Sequence, residues 1–146
     1  MALERSYKRF SVEEEEYSRI LSHCKGVLSD CGGVVFAYLY GSFTGKQNFA
    51  DIDLAVYLQG VKREDYLKQE IDLESRLKKK IPYPLDVRVL NDAPVSFRYS
   101  VIKNGIRLVD KEEDMRVDFE TRTLSRYFDF LPFRERYFKE ALDREV

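Results

Sequence analysis

The sequence contains no tryptophan, one histidine (His23), two cysteines (Cys24 and Cys31) and four prolines in 146 residues. Two cysteines beside a lone histidine supply neither a disulfide framework nor a Cys/His zinc set, so reduced thiols and a helix-surface histidine are expected. No apolar stretch is long enough for a membrane span or secretory signal. The opening MALERSYKRFSVEEEE is charged almost from its first residue, and a cytoplasmic protein is expected. An excess of one charge is also lacking: 25 Lys and Arg stand against 26 Asp and Glu, a net charge of -1. A domain that grips a nucleic-acid backbone usually carries a surplus of Lys and Arg, so this balance argues against broad nucleic-acid binding. Repeats, low-complexity tracts and linkers are absent too. The length suits one sizeable core, and a single domain over 1–146 is expected, with its core at about 30–110 and a helical segment at 111–146.

What is present is an ordered series of periodic segments. Ser11 and Glu14 have capping-box spacing, and Val12, Tyr17, Ile20, Leu21, Cys24 and Leu28 follow at helical intervals, so a first helix runs to the turn at Asp30. Val34 to Tyr40 is a short apolar, β-branched and aromatic run between glycines, the pattern of a buried central strand. Asp51 to Leu58 alternates, with Ile52, Leu54, Val56 and Leu58 on one face and Asp51, Asp53, Ala55 and Tyr57 on the other. Lys62 to Lys80 reads as an amphipathic helix on Tyr66, Leu67, Ile71, Leu73 and Leu77, stopping before Pro82. Leu85 to Leu90 is a third strand that turns Asp86 and Arg88 away from its apolar face. A short helix over Ser96–Lys103, an edge strand over Ile106–Val109 and a helix from Lys111 onward complete the chain. The last should carry Met115, Phe119, Leu124, Tyr127, Phe128 and Leu131 on its apolar stripe and break or kink at Pro132.

Within this order lies a constellation that carries chemistry. Transfer of a nucleotidyl group requires the polyphosphate to be held, its charge neutralised, and the attacking and leaving oxygens kept in line, most of which two Mg²⁺ ions can supply. Magnesium takes oxygen ligands and keeps several waters, so two or three converging carboxylates are the minimal protein share. Asp51, Asp53 and Asp86 meet that requirement as catalytic and metal-binding candidates. Gly41-Ser42, at the end of a buried strand, is the candidate phosphate-binding pair, because a bulky residue at 41 would block the approach of a phosphate. Lys46, in the same loop, is either a mobile positive charge for the triphosphate or a solvated lysine.

The segment YLYGSFTGKQNFADIDLAVYL resembles the signature of the DNA polymerase beta nucleotidyltransferase superfamily. LDVRVLNDAPVSFRYSVIKNGIRLVD and RVDFETRTLSRYFDFLPFRERYF are similar to the ending of its minimal nucleotidyltransferase (MNT) branch, which includes the MntA-type antitoxins. The resemblance implies an α/β (α+β) nucleotidyltransferase fold, a mixed sheet of about four strands backed by helices. It also implies Gly41 and Ser42 on phosphate, Asp51 and Asp53 on metal, and Asp86 assisting the incoming hydroxyl. The implied activity is Mg²⁺-dependent transfer of AMP from ATP to a tyrosine of an all-helical HEPN ribonuclease toxin. The loop from Phe43 to Ala50 is slightly shorter than the commonest family form, and its basic residue follows Gly45 where many members place an arginine before that glycine. Two other functions compete: neutralisation of a partner by occlusion through Tyr127, Phe128, Phe130, Phe133, Tyr137 and Phe138, and nucleotidylation of a small molecule or an RNA end.

Overall fold

The computed structural model describes residues 8–145, and the side chains of all of these except 131, 133, 134, 138 and 142–145. The chain runs α1 (Glu14–Asp30), β1 (Val34–Tyr40), a 3-10 turn (Ser42–Gly45), β2 (Ile52–Leu58), a second 3-10 turn (Arg63–Asp65) and α2 (Tyr66–Lys78). It continues through β3 (Leu85–Val89), α3 (Val95–Asn104), β4 (Ile106–Asp110) and α4 (Glu113–Glu145). The four strands form one mixed sheet in the order β3-β2-β1-β4. β1 pairs antiparallel with β2 and β4, whereas β2 and β3 are parallel.

Burial follows the side-chain alternation of the strands. Ile52, Leu54, Val56 and Leu58 of β2, and Leu85, Val87 and Val89 of β3, share one core with Ile20, Cys24 and Leu28 of α1 and Leu73 and Leu77 of α2. On the opposite face Ala55, Phe36, Tyr38, Val101 and Phe119 form a second, smaller core beneath α3 and α4. A bulge between Val34 and Phe36 lets β1 serve both: Val34, Ala37 and Leu39 face the first core, and Val35, Phe36 and Tyr38 the second. The central strand is therefore apolar throughout, as its sequence predicts.

Several expectations are corrected. Ser11 does not cap α1: Glu13 stands at the N-cap without a side-chain bond, and Ser11 Oγ instead accepts from the Asn48 amide at 3.0 Å. Leu67 and Ile71 do not belong to the apolar stripe of α2 and are 66% and 58% exposed. The inward row of α2 instead runs through Leu73 and Leu77, with Glu70 and Glu74 turned to β3: Glu74 accepts from the Val87 amide at 2.9 Å and Glu70 from the Val89 amide at 2.8 Å. Two edge amides that would otherwise lack partners are thereby satisfied. Helix α4 runs unbroken through Pro132, where a break or kink was expected. Its 33 residues span about 50 Å against about 15 Å for the 10 residues of α3, so its distal half outruns the body it packs on. Phe119 is buried on that helix, whereas Phe128 and Phe130 are 55% and 56% exposed. Phe128 thus leaves the expected stripe, and the side chain of Leu131 lies outside the described residues.

Cys24 and Cys31 are free buried thiols, and burial pushes the Cys24 thiol up to about 12. His23 is half-buried, with no protein partner found for its Nε2.

Candidate functional site

The directions of the three strands bring the candidate residues to one end of the sheet. β1 ends there, antiparallel β2 begins there, and β3, parallel to β2, begins there too. In the resulting register Tyr40 stands opposite Asp53, and Asp53 opposite Asp86. Asp53 and Asp86 rise from the face turned away from the larger core, because Ile52, Leu54, Leu85 and Val87 are committed to that core. Asp51 lies just before β2 rather than in it.

Gly41 is required where it stands for two reasons. Its φ of +80° lies in the region that side-chain-bearing residues rarely adopt, and a Cβ there would sit 2.5 Å from Asp53 Oδ2. The Asp53 carboxylate thus rests against the bare backbone of Gly41. The Gly41 carbonyl accepts from the Thr44 amide at 3.3 Å and from Thr44 Oγ1 at 2.9 Å, which closes the turn. The amides of Ser42 and Phe43 open that turn, and the first N–H groups of a helical turn have no carbonyl within it. Ser42 Oγ accepts from the Ala50 amide at 3.3 Å, tying the two ends of the loop together.

The loop itself is pinned by aromatic rings. Phe43 and Phe49 are fully buried, 4.7 Å apart edge to face, with Tyr17, Phe10 and Tyr83 packed around them at centroid distances of 5.0 to 5.7 Å. Phe10 and Phe49 exchange backbone hydrogen bonds of 2.8 and 2.9 Å. The N-terminal segment therefore buttresses the Gly41-Ser42 turn. Lys46, at φ +67°, directs its ammonium to the Glu14 carboxylate and lies 5.1 Å from the centre of the Tyr17 ring. The structure joins Lys46 to α1.

Asp53 is the electrostatic focus. Burial pushes its carboxyl up to about 7, and a hydrogen bond with Asp51 and the negative charges of Asp51 and Asp86 push the same way, against the weaker opposing pull of Arg88. Burial, followed by the charges of Asp53 and Asp86, likewise raises the Tyr40 phenol. Asp86 is about half exposed and pairs with Arg88 Nε at 3.4 Å. Arg88 lies 5.7 Å from the Phe97 ring centre, and Phe97 packs edge to face on Tyr40 at 5.3 Å. Sequence reasoning assigned no site role to Arg88, Tyr40 or Phe97. For Arg88 the signal was available, since it follows Asp86 by two residues on the same strand face; Phe97 reaches the site only through the packing of α3.

This oxygen-only donor set suits a hard divalent cation. Among the described residues no three His, Cys, Asp or Glu side chains stand in a preformed metal cage. Asp51 and Asp53 are bonded to one another and Asp86 leans on Arg88. The fit therefore rests on surplus negative charge: a carboxyl held near neutral pH by burial and by its acidic neighbours is what a bound cation would return to its ionised form.

A short mixed sheet with Gly-Ser at the end of one strand and carboxylates at the start of the next two strands on one side defines the nucleotidyltransferase class. The family model "Polymerase beta, Nucleotidyltransferase" matches residues 22–114, and the chain belongs to that family. Among solved structures, the tri-AMPylated Shewanella oneidensis HEPN toxin in complex with MNT antitoxin contains a similar chain. It has a TM-score of 0.64 and 20% identity, over 86% of this chain and 98% of that one. A toxin-antitoxin complex with AMP-PNP is similar at TM-score 0.64 and 22% identity, over 84% and 98%. A toxin-antitoxin structure named MntA-HepT is similar at TM-score 0.58 and 19% identity, over 89% and 99%. At these identities the likeness shows the fold. No curated protein matches the chain.

Proposed function

We propose that this chain is an MNT-type antitoxin that uses Mg²⁺ and ATP to transfer AMP to a hydroxyl, a tyrosine side chain, of a HEPN-type toxin. The observation that carries the reading is Asp53, seated against Gly41, bonded to Asp51 and in register with Asp86. The similar chains occur in complexes of toxin and antitoxin, one of them tri-AMPylated and one with AMP-PNP.

In this reading Gly41 allows a phosphate to approach the backbone, and the Ser42 and Phe43 amides receive its oxygens. Asp51 and Asp53, with Asp86 as the third carboxylate, would hold Mg²⁺, which when bound supplies charge neutralisation and alignment of the triphosphate. Asp86, about half exposed, receives the proton of the incoming hydroxyl. The acceptor oxygen forms a bond to the α-phosphorus while the bond from that phosphorus to the bridging oxygen breaks, and pyrophosphate leaves. The aromatic pair Tyr40 and Phe97 and the Arg88 guanidinium border the acceptor side. Incubation with ATP labelled at the α-phosphate, Mg²⁺ and the partner toxin should label the toxin; absence of transfer under every metal and nucleotide condition overturns the proposal.

One observation favours occlusion as a second reading: Phe130 and Tyr137 stand exposed on the overhanging part of α4, and Phe128 is exposed where its ring meets the edge of Tyr99 of α3. Tyr127 does not belong with them, since it stacks on Tyr99 at 3.7 Å, and the side chains of Phe133 and Phe138 lie outside the described residues. An Asp53→Ala variant that neutralises the toxin as well as the wild type does would establish occlusion.

A further inference from the structure

At the other end of β2 a cavity of about 200 Å³ is lined by Tyr57, Asn91, Arg98, Asp118, Phe119, Arg122 and Arg126. Tyr57 follows Asp53 by four residues on the same sheet face, about 13 Å along the strand. Buried Ala55 lies between them beneath α3, so this cavity is separate from the carboxylate site.

Its walls are built rather than incidental. Arg98 is held by its own donors, Nε to the Leu90 carbonyl at 3.0 Å and the guanidinium to the Asn91 carbonyl, and lies 5.5 Å from the Phe119 ring centre. The Asn91 side chain is spent on Leu58, accepting its amide at 2.9 Å and donating to its carbonyl at 2.7 Å. The Tyr57 ring stacks on Phe36 at 4.7 Å and lines the cavity beside Arg98 and Arg122. Only one of the three guanidinium groups has a carboxylate in the cavity: Arg122 pairs with Asp118. Arg126 faces Arg98 closely enough to depress its pKa, reinforcing the effect of burial, while Asp92 acts on Arg98 in the opposite sense and is itself paired with Arg63 at 3.2 Å. Three cations against one carboxylate leave the cavity with positive charge the fold does not neutralise. Side by side, such groups are unfavourable unless an anion joins them.

We propose that Arg98, Arg122 and Arg126, with Tyr57, form a binding site for the phosphate of a small phosphorylated anion. Guanidinium N–H groups not already given to the Leu90 and Asn91 carbonyls or to Asp118 match phosphate oxygens, and the volume admits a phosphate or pyrophosphate rather than a polymer. The site stands whether or not the chain transfers AMP.

The test is calorimetric titration of the full chain with inorganic pyrophosphate, AMP and metal-free ATP in EDTA, alongside NMR of the Arg98 Nε–H. Saturable one-to-one binding is expected, with pyrophosphate tightest if the leaving group is the natural ligand and AMP or ATP tightest if a nucleotide is. Arg126→Gln should weaken it about fivefold or more, and Asp118→Asn, which frees Arg122, should tighten it about threefold. Both positions are exposed, so neither change threatens folding. Absence of saturable binding, an affinity unchanged in Arg126→Gln, or binding of single-stranded RNA without binding of the small phosphates overturns the proposal.

Discussion

At Asp53 the demands of a charged site oppose those of a stable fold. A carboxyl raised from 3.8 to about 7 binds its proton more tightly in the folded chain than in the unfolded one. Between those values the folded state holds more protons, so the contribution of Asp53 to metal-free stability falls as pH rises from about 4 to about 7. Asp53→Asn removes the penalty. In EDTA at pH 8 it should melt about 2–4 °C above the wild type, a figure reduced from the full shift because the group is only partly buried, and the gap should close toward pH 4. Equal melting curves at pH 8 would contradict the charge balance described for Asp53. Gly41 belongs to the same balance. Gly41→Ala places a methyl 2.5 Å from Asp53 Oδ2 at a positive φ, so a loss of about 1–3 kcal/mol and of ATP affinity is expected in denaturant and binding titrations. These residues were legible in the sequence because two-residue alternation fixes which side chains share a strand face. Lys46 was less so: its pairing with Glu14 joins a loop to a helix 32 residues earlier, a contact that no local pattern encodes.

At the scale of elements, the edge strand β3 is protected by a helix rather than by another strand. Glu70 and Glu74 of α2 accept from the Val89 and Val87 amides, so Glu70→Ala and Glu74→Ala should each cost about 1–3 kcal/mol by leaving a part-buried donor unpaired. The double variant should also elute as larger species in size-exclusion chromatography, because an uncovered edge pairs with other chains. Monomeric elution at wild-type stability would contradict this role. The strand sequences announced themselves through burial on one or both faces. Helix α2 was harder to read, since its inward row includes two glutamates whose partners are backbone amides, while Leu67 and Ile71 imitate an apolar stripe yet face outward. The supposed capping box failed for a similar reason: Ser11 is engaged by the Asn48 amide across the chain.

At the scale of the molecule, two helices cover each face of the sheet, but the far half of α4 projects beyond them. Phe128→Ser and Phe130→Ser should leave stability within about 0.5 kcal/mol, as surface changes do. If this helix contributes to partner recognition, the same changes should weaken toxin binding at least fivefold, an anchor-like loss. The helix was predictable from its periodicity, whereas its overhang was not, because where packing ends depends on the short length of α3. Among the described residues no helix is long and apolar enough to cross a membrane. The family is shown by residues 22–114, and the whole account turns on whether the acidic end of the sheet is a metal-dependent nucleotide site. Titration of ATP into the wild-type chain and Asp53→Asn, with Mg²⁺ and in EDTA, tests that most directly. The site adjoining Gly41 predicts a binding event that requires Mg²⁺ and weakens at least tenfold in the variant. Affinity at that site unchanged by Mg²⁺ and by the substitution would contradict the assignment.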